Sequence, residues 1–218
     1  MEHADSMPRV GARWTRRKHA RPAEILDAAL SVFAEKGYAG ARMEDIAARA
    51  GVTKGTIYLY FDGKEAMFKA LVRDTIGTAL AGITENARTL EGSARELLRF
   101  ALNALAHLIS TSDRVVLPKI IIAESGNFPE LARFYRDEII AKGLALFTGL
   151  MERGIAQGEF RPVPSAHAVR LCIAPVLLGA IWRTTFSQFD ATPYDYQGLI
   201  DTHLDVLLRG LAPESTQP

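Results

Sequence analysis

The residues best suited to chemistry lie between Glu44 and Phe61. Lys54, Thr56, Tyr58 and Tyr60 are interleaved with Gly55, Ile57 and Leu59, a run of hydroxyl and ammonium donors without an acid. Such a set hydrogen-bonds and attracts an anion; it is poorly suited to making or breaking bonds. Residues 44–50 and about 54–60 read as two short helices joined by Ala50-Gly51-Val52, with Gly51 supplying the tight turn of a helix-turn-helix. Thr53 is of a type that caps a helix start. Ile46, Ala47, Ala50, Val52 and Ile57 would close a small core, turning the donors outward. A recognition helix enters the DNA major groove by its N-terminal end. That places Lys54, Gly55 and Thr56 nearest the bases, with Tyr58, Tyr60 and Lys64 directed to the phosphate backbone. The plainer alternative is a chance pair of helices around a glycine.

These residues must be held by a scaffold, and the periodicity for one is helical. Ile25, Ala28, Ala29, Val32 and Phe33 share one face of a first helix over residues 22–36, between Pro22 and Gly37. Beyond Gly63 a long fourth helix is expected, with Phe68, Leu71, Val72, Thr75, Ala79 and Ile83 on one face. Ser93-Ala94-Arg95-Glu96 has the form of a capping box opening a fifth. Four more are expected over about 113–124, 129–158, 165–185 and 194–211. No strand alternation or repeat is visible, so the fold class is all-α.

The 218 residues carry a net charge of +1, but unevenly distributed. Residues 1–64 hold 11 Lys and Arg against 8 Asp and Glu, and the remainder 15 against 17. Arg9, Arg13, Arg16, Arg17, Lys18 and Arg21 form an acid-free stretch, either an arm resting on DNA or a solvated tail. The single Cys172 precludes an internal disulfide and any paired-cysteine metal site. The five histidines lack ligand spacing, and neither a phosphate-cradling glycine loop nor a serine elbow occurs. No metal, cofactor or catalytic residue is therefore expected. The longest apolar run, Leu171 to Trp182, is shorter than the ~20 residues of a membrane span. No membrane partner and a cytoplasmic location are expected.

Gly37-Tyr38, Met43-Glu44-Asp45-Ile46-Ala47, the run from Ala50 to Phe61 and Lys64-Glu65-Ala66 together resemble the DNA-binding domain of the TetR family of transcriptional regulators. The resemblance implies about nine helices, a homodimer on a palindromic double-stranded operator, and a ligand-controlled C-terminal domain, usually serving repression. It implies DNA contacts at Arg42, Thr53, Lys54, Gly55, Thr56, Tyr58, Leu59, Tyr60 and Lys64. It also divides the chain into an arm (1–21), a DNA-binding domain (22–66), a ligand-binding and dimerisation domain (67–212) and a tail (213–218). Ala41-Arg42 departs from the family's usual hydroxyl residue, so the second helix is expected to lack a side-chain cap.

The C-terminal domain offers weaker signals. A small apolar effector would suit Phe100, Phe128, Phe147, Met151, Trp182 and Phe186 as pocket walls. Asn103 and His107, four residues apart, are either polar anchors in that pocket or partners to each other or to solvent. The eighth helix is apolar on every side, and the ninth has two apolar faces, so both need cover beyond one protomer. Leu171, Leu178, Ile181, Leu199, His203 and Val206 are the expected interface. A carrier or enzyme built on this domain is the rival reading.

Overall fold

The computed structural model describes residues 22–110 and 115–213. The basic arm with Trp14, and residues 214–218 of the tail, lie outside them. The described residues form nine α-helical elements, a short 3-10 turn at Ser187–Phe189 and no strand. Helix α1 (Pro22–Gly40) is followed by α2 (Met43–Ala50) and α3 (Lys54–Tyr58). Helix α4 covers residues 64–89, α5 is Ala94–Ser110 and α6 is Val116–Glu124. Helix α7 covers residues 129–156, α8 is Ser165–Thr185 and α9 is Tyr196–Gly210.

The start and stop signals act as their chemistry dictates. Gly37 takes φ 68°, breaking the helical path of α1, and Gly51 takes φ 67° to close α2. The capping box opens α5: the Glu96 N–H donates to Ser93 Oγ at 3.2 Å, and the Ser93 N–H to Glu96 Oε2 at 2.9 Å. Glu159 adds a distant cap, accepting from the Ala94 and Arg95 N–H groups at 3.1 and 3.0 Å. Helix α3 ends at Tyr58, short of the expected Tyr60, because Leu59 and Tyr60 donate three residues back, to Thr56 and Ile57, in a tight turn. Pro118 sits within the first turn of α6, where its missing N–H costs nothing.

Helices α4 and α7 each contain a π-turn, at Arg73–Gly77 and Arg136–Ile140. The two turns face each other, and Arg73 reaches Glu138 at 3.3 Å. One hydrophobic core runs through both ends of the molecule, from Ile25, Phe33, Ile46 and Ile57 to Leu102, Met151, Cys172 and Leu204. Gly154 lets the buried ring of Phe160 close directly on the α7 backbone, and any side chain there meets that ring. Gly154→Ala is expected to cost about 1–3 kcal/mol by overpacking, lowering the urea midpoint; an unchanged midpoint would contradict this packing.

Candidate functional site

Helix α3 is positioned by one anchor and one cap. Ile57 is fully buried, whereas Tyr58, Leu59 and Tyr60 are 45%, 80% and 44% exposed. Thr53 Oγ1 accepts from the Thr56 N–H at 3.2 Å, and the two hydroxyls are 2.9 Å apart. Gly55 has room for a Cβ, so its value is close approach of backbone from outside. Helix α3 also makes a contact that its own sequence does not announce: Lys54 pairs with Glu44 of α2 and lies 5.7 Å from the Tyr58 ring centroid. This pairing lowers the Glu44 carboxyl and raises the Lys54 ammonium from their usual values. Both groups are exposed, so a phosphate can displace the carboxylate at small cost. Arg42 is exposed at the start of α2 and makes no side-chain cap there.

Lys64 departs from its expected position. Its ammonium donates to the carbonyls of Tyr38, Ala39 and Ala41 at 2.6, 3.1 and 3.1 Å, and lies 4.6 Å from the Tyr38 ring centroid. All three of its N–H donors therefore point into the segment joining α1 to α2, not towards a backbone phosphate. Partial burial lowers its pKa from the usual lysine value. The Tyr38 ring is boxed by Phe33, Phe68 and Phe128 at centroid distances of 5.8, 5.3 and 4.8 Å, and burial pushes its phenol up to about 12.

The second feature is a cavity of about 680 Å³ among α4, α5, α6, α7 and α8. Its wall is almost wholly aliphatic, with Leu80, Leu108, Ile121, Ile139, Leu144 and Ile173 among its residues. Arg136 and Arg170 are the charged residues of the lining, and both are exposed, which places them at the rim. Arg136 pairs with Asp137 at 2.7 Å, and Arg170 donates to the Ala166 carbonyl at 2.6 Å.

Of the expected pocket residues, Phe147 lines this cavity. The others are elsewhere, some in the core and some at the surface. Phe128 meets Tyr38 edge to face, Met151 is fully buried, and Phe100 packs against the core. Asn103 Nδ2 donates to the Arg99 carbonyl of its own helix at 3.1 Å, and His107 is exposed. Trp182 donates to Asp190 Oδ2 at 2.9 Å and sits against Phe186, both half-exposed at the far end of α8. The missed signal was legible: Arg170, Ile173, Ala174 and Leu177 share one face of α8, and Arg136, Ile139, Ile140, Gly143 and Leu144 one face of α7. Each is an aliphatic stripe headed by an arginine.

Beside the cavity stripe, about a quarter-turn round α8, an apolar face is uncovered. Leu171 and Leu178 are 67% and 64% exposed, as is Val206 of α9 at 64%. Helix α8 is long and apolar enough to cross a membrane by length and composition alone, and 33% of its most apolar window is buried. Ile181 and Leu199 are partly covered, and His203 Nε2 lies 2.8 Å from the Cys172 carbonyl within the protomer. The Cys172 thiol is buried and pushed up to about 11, which removes it as a nucleophile.

Fold and site together define a helix-turn-helix protein with an aliphatic cavity in its helical second part. Residues 25–71 match the family model for bacterial regulatory proteins of the tetR family, and residues 89–193 that for a tetracyclin repressor-like C-terminal domain. The chain is 26% identical over 196 residues to the fatty acid metabolism regulator protein of Bacillus subtilis, covering 90% of this chain and 98% of that one. It is 30% identical over 153 residues to the transcriptional repressor KstR2 of Rhodococcus jostii, 66% of this chain and 70% of that one. The crystal structure of the regulator FadR from Bacillus subtilis in complex with stearoyl-CoA superposes with a TM-score of 0.71 at 25% identity, covering 88% and 100% of the two chains. The chain belongs to the TetR family and is a DNA-binding transcriptional regulator.

Because Thr53 alone caps α3 by its side chain, Thr53→Ala is expected to cost about 1 kcal/mol, with Thr53→Ser nearly neutral. Thermal unfolding of the two variants checks this, and equal losses would contradict the cap.

Proposed function

We propose that this regulator is a cytoplasmic homodimer that represses by holding a palindromic operator and lets go when an amphiphilic effector fills the cavity. The carrying observation is the aliphatic cavity rimmed by Arg136 and Arg170 in the same bundle whose α4 runs into the DNA-reading head. An apolar wall suits an acyl or similar hydrocarbon, and rim arginines suit an anionic head group. The stearoyl-CoA bound by FadR has this character, which supports a long-chain acyl thioester as the effector class.

Residues 22–66 serve as the DNA-binding unit and 67–212 as the effector and dimerisation unit. Lys54, Gly55 and Thr56 read the groove, with Leu59 available to a thymine methyl. Tyr58, Tyr60, Arg42 and Thr53 reach the backbone, while Lys64 acts by bracing the segment that carries α2. The exposed Leu171, Leu178 and Val206 meet their symmetry mates, covering an apolar face that one protomer leaves wet. One dimer conformation spaces the recognition helices about 35 Å apart, matching successive major grooves. Effector binding favours another; its leverage equals its preference for that state, typically about 1–3 kcal/mol.

Lys54→Ala and Tyr58→Ala are each expected to weaken operator binding at least about tenfold. Operator affinities equal to the parent's for both would remove α3 from the interface. Stearoyl-CoA is expected to weaken operator binding about tenfold or more, and Arg170→Ala to blunt that response while leaving effector-free operator affinity intact. Calorimetry and fluorescence anisotropy check both arms; an Arg170→Ala variant that responds fully would remove the head-group role.

A further inference from the structure

The last turn of α1 beyond the break at Gly37 and its link to α2, together residues 38–42, form the α1–α2 connection, which is gripped from two sides. From α4, Lys64 holds the carbonyls of Tyr38, Ala39 and Ala41. From α6, Glu124 Oε1 accepts the Ala39 N–H at 3.1 Å across 85 residues of sequence. Asn127 steadies the other carboxylate oxygen, donating from Nδ2 to Oε2 at 3.2 Å. Just beyond, Phe128 stacks edge-on against Tyr38 at 4.8 Å. Helix α2 begins at Met43, directly after this segment, so whatever moves it tilts the helix-turn-helix.

The same α6 forms part of the cavity wall through Pro118, Ile121 and Ile122. Pro118 lies only about 9 Å along the helix from Glu124, at 1.5 Å per residue. Helix α6 runs unbroken between them. Helix α4 offers a softer path. Its π-turn at Arg73–Gly77 contains one of its cavity residues, Ile76, and separates the other, Leu80, from the half carrying Met67 and Phe68 that packs under α1. A π-turn can absorb a displacement by shifting its hydrogen bonds. A short uninterrupted helix passes it on. Helix shifts of about 1–2 Å accompany switching at packed interfaces. A shift of that size stretches the Glu124–Ala39 contact beyond hydrogen-bonding range.

We propose that Glu124 is the positioning residue through which cavity occupancy reaches the DNA-reading head: α6, displaced by whatever fills the cavity, withdraws the Glu124 carboxylate from the Ala39 N–H and frees the α1–α2 connection. The inference rests on the reading of the cavity as the effector site, and its test does not need the effector's identity. Ala174 stands exposed at the edge of the cavity on α8, so Ala174→Trp lays an indole over the cavity mouth from a helix that carries no part of the relay. Gly143→Leu on α7 mimics occupancy a second way, with only the Leu80 side chain, at 4.0 Å, near its first carbon.

Operator affinity is measured for the parent, each filling variant, Glu124→Ala, Glu124→Gln and the double variants, with thermal unfolding confirming that each folds. Filling is expected to weaken operator binding about tenfold in the parent and less than about threefold in the Glu124→Ala background. Glu124→Gln, which keeps an acceptor for Ala39, restores most of the tenfold response. Equal losses with and without Glu124, no loss from either filling variant in the parent, or a Gln variant as unresponsive as Ala would each overturn the proposal. Stearoyl-CoA separates this from the effector reading. If it leaves the parent unmoved while filling acts through Glu124, the acyl effector falls and the relay stands. If it acts equally on parent and Glu124→Ala, the relay falls and the effector stands.

Discussion

The constraint on which the rest depends is the burial of Ile57. Helix α3 has five residues, far too few to be stable alone, since a first helical turn costs more conformational entropy than its hydrogen bonds return. Its shape is borrowed. Ile57, with no exposed surface, anchors it in the core shared with Ile46 and Ala47 of α2, and the Thr53 hydroxyl closes its open end. With that side fixed, Lys54, Thr56 and Tyr58 have one direction left to face. Recognition of DNA is thus a consequence of packing on the opposite side of the same helix. Orientation is also enforced from α2, where Arg49 forks onto Glu35 at 2.7 Å and Asp45 meets Lys36 at 2.9 Å, stapling α2 to α1. These exposed pairs add geometry more than energy.

The same logic extends to the second part of the molecule. An aliphatic wall around 680 Å³ of space gives up packing contacts that a filled core would have made. Such a void suits a protein whose two states must lie close in free energy. The paired π-turns of α4 and α7 border that space, and the Arg73–Glu138 pair joins them. Between void and head lie an aromatic box around Tyr38 and a knot of backbone hydrogen bonds centred on Lys64. Both are short-range and directional, so they are either made or broken. That is the behaviour a switch requires.

Much of this was legible in the sequence because its causes are local. The turn at Gly51, the capping box at Ser93 and Glu96, the absent side-chain cap at Arg42 and the span of α8 all follow from neighbours within four residues. What escaped notice depends on contacts between distant segments. Nothing near Lys64 in sequence announces that its ammonium turns back to residues 38–41, and nothing near Lys54 announces Glu44 as its partner. Aromatic residues, the walls expected from composition, are core fillers by size; the lining is largely aliphatic because small branched side chains leave space when they face one another. Arg136 and Arg170 were findable as solitary charges heading apolar stripes. The exposed Leu171 and Leu178 follow from a helix with more apolar circumference than one protomer can cover.

The central claim is that α3 is presented twice, by a symmetric pair, to successive major grooves. Selection of bound fragments from a random duplex pool, followed by sequencing, tests it most directly. The account predicts an inverted repeat whose half-site centres lie about one helical turn, 10–10.5 base pairs, or a multiple of it apart. Enrichment of sequences without two-fold symmetry, or no enrichment at all, would contradict it.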